Sequence, residues 1–197
     1  MSYSNEYKVF WYLPKRTATR SIRPILDYFN FIDSDNHNFF TEEFQLSYYF
    51  ISNVRNPYSR VVSIFKWSTE MNLTSLPFEI WVEKMFEIKP NNDSIFIPDE
   101  NRLLKIFNHF NKLPNYVVRY EHLEEDLKNI SFIKENWCDD LNKLFSENIT
   151  NNRYNSLGNL SWQLFYNKDL AESVYSYFEH DFLYFNYDKN SWKNGTS

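Results

Sequence analysis

Three cations and three hydroxyls crowd one short stretch of this chain, Leu13-Pro14-Lys15-Arg16-Thr17-Ala18-Thr19-Arg20-Ser21-Ile22. Cations interleaved with hydroxyls suit one task above others, which is to hold a phosphate or sulfate. The residues on either side supply a frame for it. Val9 to Leu13 is an apolar run that reads as a strand, and Ile22, Ile25, Leu26 and Phe29 recur at helical spacing. The expected helix starts near Ile22, with Pro24 in its first turn, where a missing N–H costs nothing. Backbone N–H groups at a helix start carry the positive end of the dipole, so an anion is the natural occupant of the loop. The plainer alternative is a strand, turn and helix with a solvated basic turn.

A second junction repeats this arrangement. Tyr48 to Val54 reads as a strand and stops at Arg55-Asn56-Pro57. Asn56 is suited to cap the next helix and Pro57 to open it, while Val61, Val62, Ile64, Phe65 and Trp67 supply its buried side. Arg60 precedes Ser63 by three residues and so neighbours it on the helix surface.

Further along, helical patterns run from Phe78 to Phe86 and from Asn101 to Phe110. A third strand is expected at Tyr116 to Tyr120, followed by an acidic helix start from Glu121 to Leu127. Leu141, Leu144 and Phe145 mark another helix. Leu170, Val174, Tyr177 and Phe178 mark a last one, before an aromatic tail from Asp181 to Tyr187. Strands alternating with helices predict an α/β fold with a mainly parallel central sheet, ligands at the carboxyl ends of its strands, and a single domain over 1–197.

Composition narrows the function classes. A net charge of -5 argues against a general nucleic-acid binder, although a local basic cluster can hold a small anion. The single cysteine, Cys138, excludes an intrachain disulfide framework and a cysteine-built zinc site. Gly158 and Gly195 are the only glycines, so a glycine-rich phosphate loop of the usual kind is ruled out. The sequence holds no apolar run long enough to span a bilayer, and Met1 to Glu6 lacks a signal-peptide core, which leads to an expectation of a cytoplasmic protein with no membrane span.

Together the two junctions resemble the 3′-phosphoadenosine-5′-phosphosulfate (PAPS)-dependent sulfotransferases, in particular the branch acting on carbohydrates. That family has a Pro-Lys loop ending in Thr or Ser, which grips the 5′-phosphosulfate, and an Arg-x-Pro-x-x-Arg-x-x-Ser signature, which binds the 3′-phosphate. Here Pro14-Lys15 and the hydroxyls after it match the first, and Arg55, Pro57, Arg60 and Ser63 match every defined position of the second. Val118-Arg119-Tyr120-Glu121-His122-Leu123 and the tail look like two further family segments. Arg119 and Glu121 are read there as an ion pair beside the sheet end, and Asp181, Phe182 and Tyr187 as core and capping residues. The loop departs from the pattern at Thr17 and Ala18, where a Gly or small residue is common, and at Arg16, which is bulkier than usual.

The resemblance implies a P-loop-like, three-layer fold and a transfer of a sulfuryl group from PAPS to a carbohydrate hydroxyl, leaving adenosine 3′,5′-bisphosphate and needing no metal. It assigns Lys15, Arg16, Thr17, Ala18, Thr19, Arg20 and Ser21 to the phosphosulfate, with Lys15 at the leaving oxygen, and Arg55 and Ser63 to the 3′-phosphate. The hydroxyl that meets the sulfate is Thr19 or a neighbour. His37 is the expected base, with Glu42 and Glu43 as substitutes, and the acceptor groove is expected between Phe39 to Phe44 and Asn91 to Arg102. Two other functions are weighed against this one. A small-molecule kinase would need a Gly-rich Lys-Ser/Thr loop, which is missing. A non-catalytic nucleotide- or glycan-binding protein on the same fold would keep the anion signatures and dispense with His37.

Overall fold

The structure, a computed structural model, describes residues 1–33, 47–87, 113–152 and 161–195. In chain order its elements are β1 (Ser2–Ser4), β2 (Val9–Tyr12), α1 (Thr19–Tyr28), β3 (Ile32–Asp33), β4 (Tyr49–Val54), α2 (Pro57–Glu70) and α3 (Phe78–Glu87). There follow β5 (Tyr116–Arg119), a 3-10 turn at Tyr120–His122, α4 (Leu123–Lys128), α5 (Ser131–Glu135), α6 (Asp139–Asn152) and α7 (Lys168–Tyr184), with 3-10 turns at Trp162–Phe165 and Ser191–Gly195. The fold is α/β. The chain divides into two compact units, Met1–Arg55 with Lys112–Tyr154, and Asn56–Asn111 with Asn155–Ser197.

The first unit holds the sheet, in the order β3-β1-β2-β4-β5. β2, β4 and β5 run parallel, Tyr12 beside Ser52 and Val54 beside Arg119, so their carboxyl ends open on one sheet edge. β1 pairs antiparallel with β2 and with β3, which makes the sheet mixed where strand and helix alternation predicts a mainly parallel one. The two additional strands are short and local. Ser2–Ser4 folds back on β2 through a turn in which Lys8 has φ 53, and Ile32–Asp33 is tied in by Ser2 Oγ donating to Asp33 Oδ1 at 2.6 Å and by an Arg23–Asp33 ion pair.

Alternation along the strands sends Val9, Trp11, Leu13, Ile51 and Val118 into one core with Ile22, Ile25, Leu26 and Phe29, the expected α1 stripe, and with Leu127, Ile133, Leu141 and Phe145. α1 starts three residues earlier than its apolar pattern suggests, because Ala18 is its N-cap. Pro24 is therefore the sixth helical residue and lies inside the helix, not in its first turn, so the ladder bond from residue 24 to the Arg20 carbonyl is missing.

The second unit is helical. Tyr58, Val61, Val62 and Ile64 of α2 bury against Phe78, Trp81, Val82 and Met85 of α3 and Leu170, Ala171, Val174, Phe178 and Phe182 of α7. Asn56 caps α2 as its sequence suggests, accepting from Tyr58 N at 3.0 Å and Ser59 N at 3.4 Å and donating through Nδ2 to Ser191 Oγ at 2.9 Å. Replacing Asn56 with alanine is expected to cost about 1–2 kcal/mol, read as a lower urea midpoint.

Tyr58 Oη donates to the Lys189 carbonyl at 2.8 Å, and Tyr166 Oη donates to the Tyr58 carbonyl at 2.9 Å. Burial pushes both phenols up from their ordinary range, so they stay donors across the physiological span. The segment read as an aromatic tail after the last helix is in part that helix: α7 continues past a non-helical Phe178 (φ -103, ψ 20) through Asp181 and Phe182, both buried. Among the described residues no helix is long and apolar enough to cross a membrane.

Candidate anion site at the carboxyl edge of the sheet

Loop 13–18 leaves β2 at the sheet edge where β4 and β5 also end, and its backbone is turned so that its carbonyls face protein donors. Pro14 O accepts from Thr17 Oγ1 at 2.6 Å and Thr19 Oγ1 at 3.0 Å. Arg16 O accepts from Arg55 Nη1 at 3.3 Å, Thr17 O from Asn53 Nδ2 at 2.8 Å, and Ala18 O from the backbone N–H groups of Ser21 and Ile22 at 2.9 and 3.1 Å. With these carbonyls held by protein donors, few acceptors remain in the loop to repel a bound anion. The first turn of α1 carries no acidic residue, so nothing of that sign offsets its dipole there.

Two loop residues pay for this turn sterically. Arg16 has φ 70 and Ala18 φ 66, left-handed values that glycine adopts freely and other residues do not. These are two of the three positions, with Thr17, at which the loop departs from the family pattern, and the chain makes both left-handed turns without glycine. The left-handed conformation costs an Ala about 1–2 kcal/mol, while glycine's added freedom in the unfolded chain costs about 0.4–1 kcal/mol. Ala18→Gly is accordingly expected to raise stability by roughly 0.5–1 kcal/mol, measured by urea unfolding.

The predicted residues fall into three groups. Lys15, Arg16, Thr17, Ala18, Thr19, Arg20, Ser21 and Arg55 all belong to the first unit and gather at this edge. Lys15 and Arg20 are exposed, Arg16 and Arg55 half-buried, and Thr17 and Ser21 buried. Ser63 and Arg60 belong to the second unit, buried on α2, where the Arg60 charge acts on the Tyr177 phenol. His37, Glu42 and Glu43, and the expected groove walls from Phe39 to Phe44 and Asn91 to Arg102, lie outside the described residues. The Thr17 and Thr19 hydroxyls both donate to Pro14 O, so these side chains brace the loop.

Other members of the edge emerge from the structure alone. Asn53, fully buried, receives the Trp11 indole N–H on Oδ1 at 2.8 Å while its Nδ2 holds Thr17 O. The Tyr120 ring lies under the Arg55 guanidinium, 4.1 Å from its carbon, a cation–π contact that steers Arg55 toward the loop.

Arg119 is in an ion pair beside the sheet end, with Asp126 on α4 as its carboxylate. Nε and Nη2 donate to the two carboxylate oxygens at 2.9 and 2.6 Å, and Arg119 N adds a third bond at 2.7 Å. Tyr116 Oη donates to the Asp126 carbonyl at 2.9 Å, and burial followed by the Asp126 charge pushes that phenol upward. Of these residues Arg119 and Tyr120 had a sequence cue in the strand-end Arg-Tyr-Glu segment, and Asp126 in an acidic helix start.

No family model, curated protein or solved structure matches this chain.

Proposed function

We propose that this chain is a sulfotransferase that moves a sulfuryl group from PAPS to a hydroxyl of a carbohydrate acceptor. The observation that carries the reading is the pairing of Pro14-Lys15 and Arg55 at the carboxyl ends of adjacent parallel strands, with Arg55 bonded to the loop through Arg16 O. These residues fit a phosphosulfate: cations at a helix start, and loop carbonyls already held elsewhere. On this reading β2, β4 and β5 are the P-loop-like part of the sheet.

The acceptor oxygen forms a bond to sulfur as the bond from sulfur to the 5′-phosphate oxygen breaks, and the hydroxyl proton passes to a base, for which the resemblance offers His37. Negative charge grows on the leaving phosphate oxygen. Lys15 neutralises it, aided by the α1 N–H groups. Arg55 serves the nucleotide's far phosphate. The resemblance gives Ser63 to the same phosphate.

The test incubates the full chain with sulfur-labelled PAPS and a broad glycan panel. Labelled glycan supports the proposal, and no transfer to any member overturns it. A second reading keeps the same anion residues and dispenses with His37, a nucleotide- or glycan-binding protein without turnover. Binding of adenosine 3′,5′-bisphosphate in the absence of transfer would select it.

A further inference from the structure

We infer that Asn53 is a positioning residue for the loop after β2, a role that rests on reading this loop as an anion cradle. The register places Asn53 beside Val118, two residues beyond Ile51, and so on the face that carries the apolar core of the first unit. A polar side chain with no solvent exposure in that layer must be satisfied where it stands. Its two bonds leave no choice of orientation. The Trp11 indole can only donate and the Thr17 carbonyl can only accept, so Oδ1 faces Trp11 and Nδ2 faces the loop.

A carboxamide is the group that accepts and donates at this span. An ionised carboxylate would serve Trp11 and repel Thr17 O, and an aliphatic side chain would leave both unpaired. Thr17 lies between the two left-handed residues, Arg16 and Ala18, and its carbonyl is fixed from the strand that also ends in Arg55. Asn53 thus holds the middle of the strained turn, and Arg55 holds the carbonyl before it. Trp11, itself fully buried, keeps the carboxamide from rotating.

Local hydrogen exchange separates positioning from mere packing, and the test uses Asn53→Asp with Asn53→Leu as a second variant that buries no charge. Ser21 and Ile22 amides, both donating to Ala18 O, report on the loop, while strand amides of β4 and β5 report on the whole unit. Loss of protection of about tenfold at Ser21 and Ile22, with the strand amides held, is the expected result. Binding of adenosine 3′,5′-bisphosphate is expected to weaken about tenfold in parallel. Uniform loss of protection across the unit, unchanged loop protection, or a selectively loosened loop that binds as tightly as wild type would each overturn the inference. If wild type itself does not bind the nucleotide, the functional reading falls, and the exchange measurement still decides whether Asn53 sets the loop.

Discussion

Lys15→Ala is expected to lower the rate of sulfuryl transfer by about 10²–10³-fold, the usual loss when one donor to a developing anion is removed. The effect should fall on kcat more than on nucleotide binding. Lys15 is exposed at the loop apex, so in the ground state water competes for the charge it would serve, and Arg16, Arg20 and the α1 dipole remain to attract the nucleotide. At the transition state the negative charge is concentrated on one leaving oxygen, and a point charge beside it counts for most. Arg at the same position is not an equivalent, because a planar fork spreads its charge over a wider site than an ammonium does. The measurement is steady-state kinetics with labelled PAPS at saturating acceptor, together with calorimetric affinity for adenosine 3′,5′-bisphosphate. A fall in affinity with kcat unchanged would place Lys15 in ground-state binding and remove it from the leaving oxygen.

The long elements of both units were open to reading from residue pattern. β2, β4 and β5 are β-branched or aromatic runs of four to six residues, and α1, α2, α3 and α7 carry apolar stripes at helical spacing. Asn56-Pro57 announced its helix because a cap and an N1 proline are local chemistry. What escaped the pattern was of two kinds. β1 and β3 span three and two residues, too few for a period to develop, and are held by pairing and by Asp33 more than by their own preference. The start of α1 was hidden because Thr19, Arg20 and Ser21 are polar. Its stripe begins only at Ile22, and the left-handed Ala18 that ends the loop has no sequence signature comparable to a glycine.

At the site the cations stood out by type, while their holders did not. Asn53 reads as one of two adjacent polar residues, with Ser52, in an otherwise apolar strand, and only its meeting with Trp11 and the return of the chain at Thr17 give it a task. Asp126 as a partner of Arg119 was likewise beyond local reading, because the turn at Tyr120–His122 is what brings it back to the end of β5.

That return makes Asp126 the side chain whose removal should most weaken the sheet edge. Asp126→Ala is expected to lower the stability of the first unit by about 2–3 kcal/mol. The Asp126 side chain is 4% exposed and takes three donors from one residue, two from the guanidinium and one from the backbone N–H that ends β5. The Arg119 side chain is 42% exposed, so water can reach the guanidinium once its partner is gone, which keeps the cost below that of a fully buried pair. The backbone N–H of Arg119 loses the same acceptor, at the residue that ends β5. Tyr120 follows immediately and carries the Arg55 guanidinium on its ring, so the loss should extend to the anion edge as weaker nucleotide binding. Asp126→Asn keeps one oxygen for Nε and the backbone and should lose less than alanine does. Urea unfolding of wild type, Asp126→Ala, Arg119→Ala and the double variant forms a cycle whose coupling energy should account for most of the Arg119→Ala loss, while Asp126→Ala should cost more because it also removes the acceptor of the backbone N–H. Strictly additive losses would mean that the two side chains act independently and that the contact does not brace the end of β5.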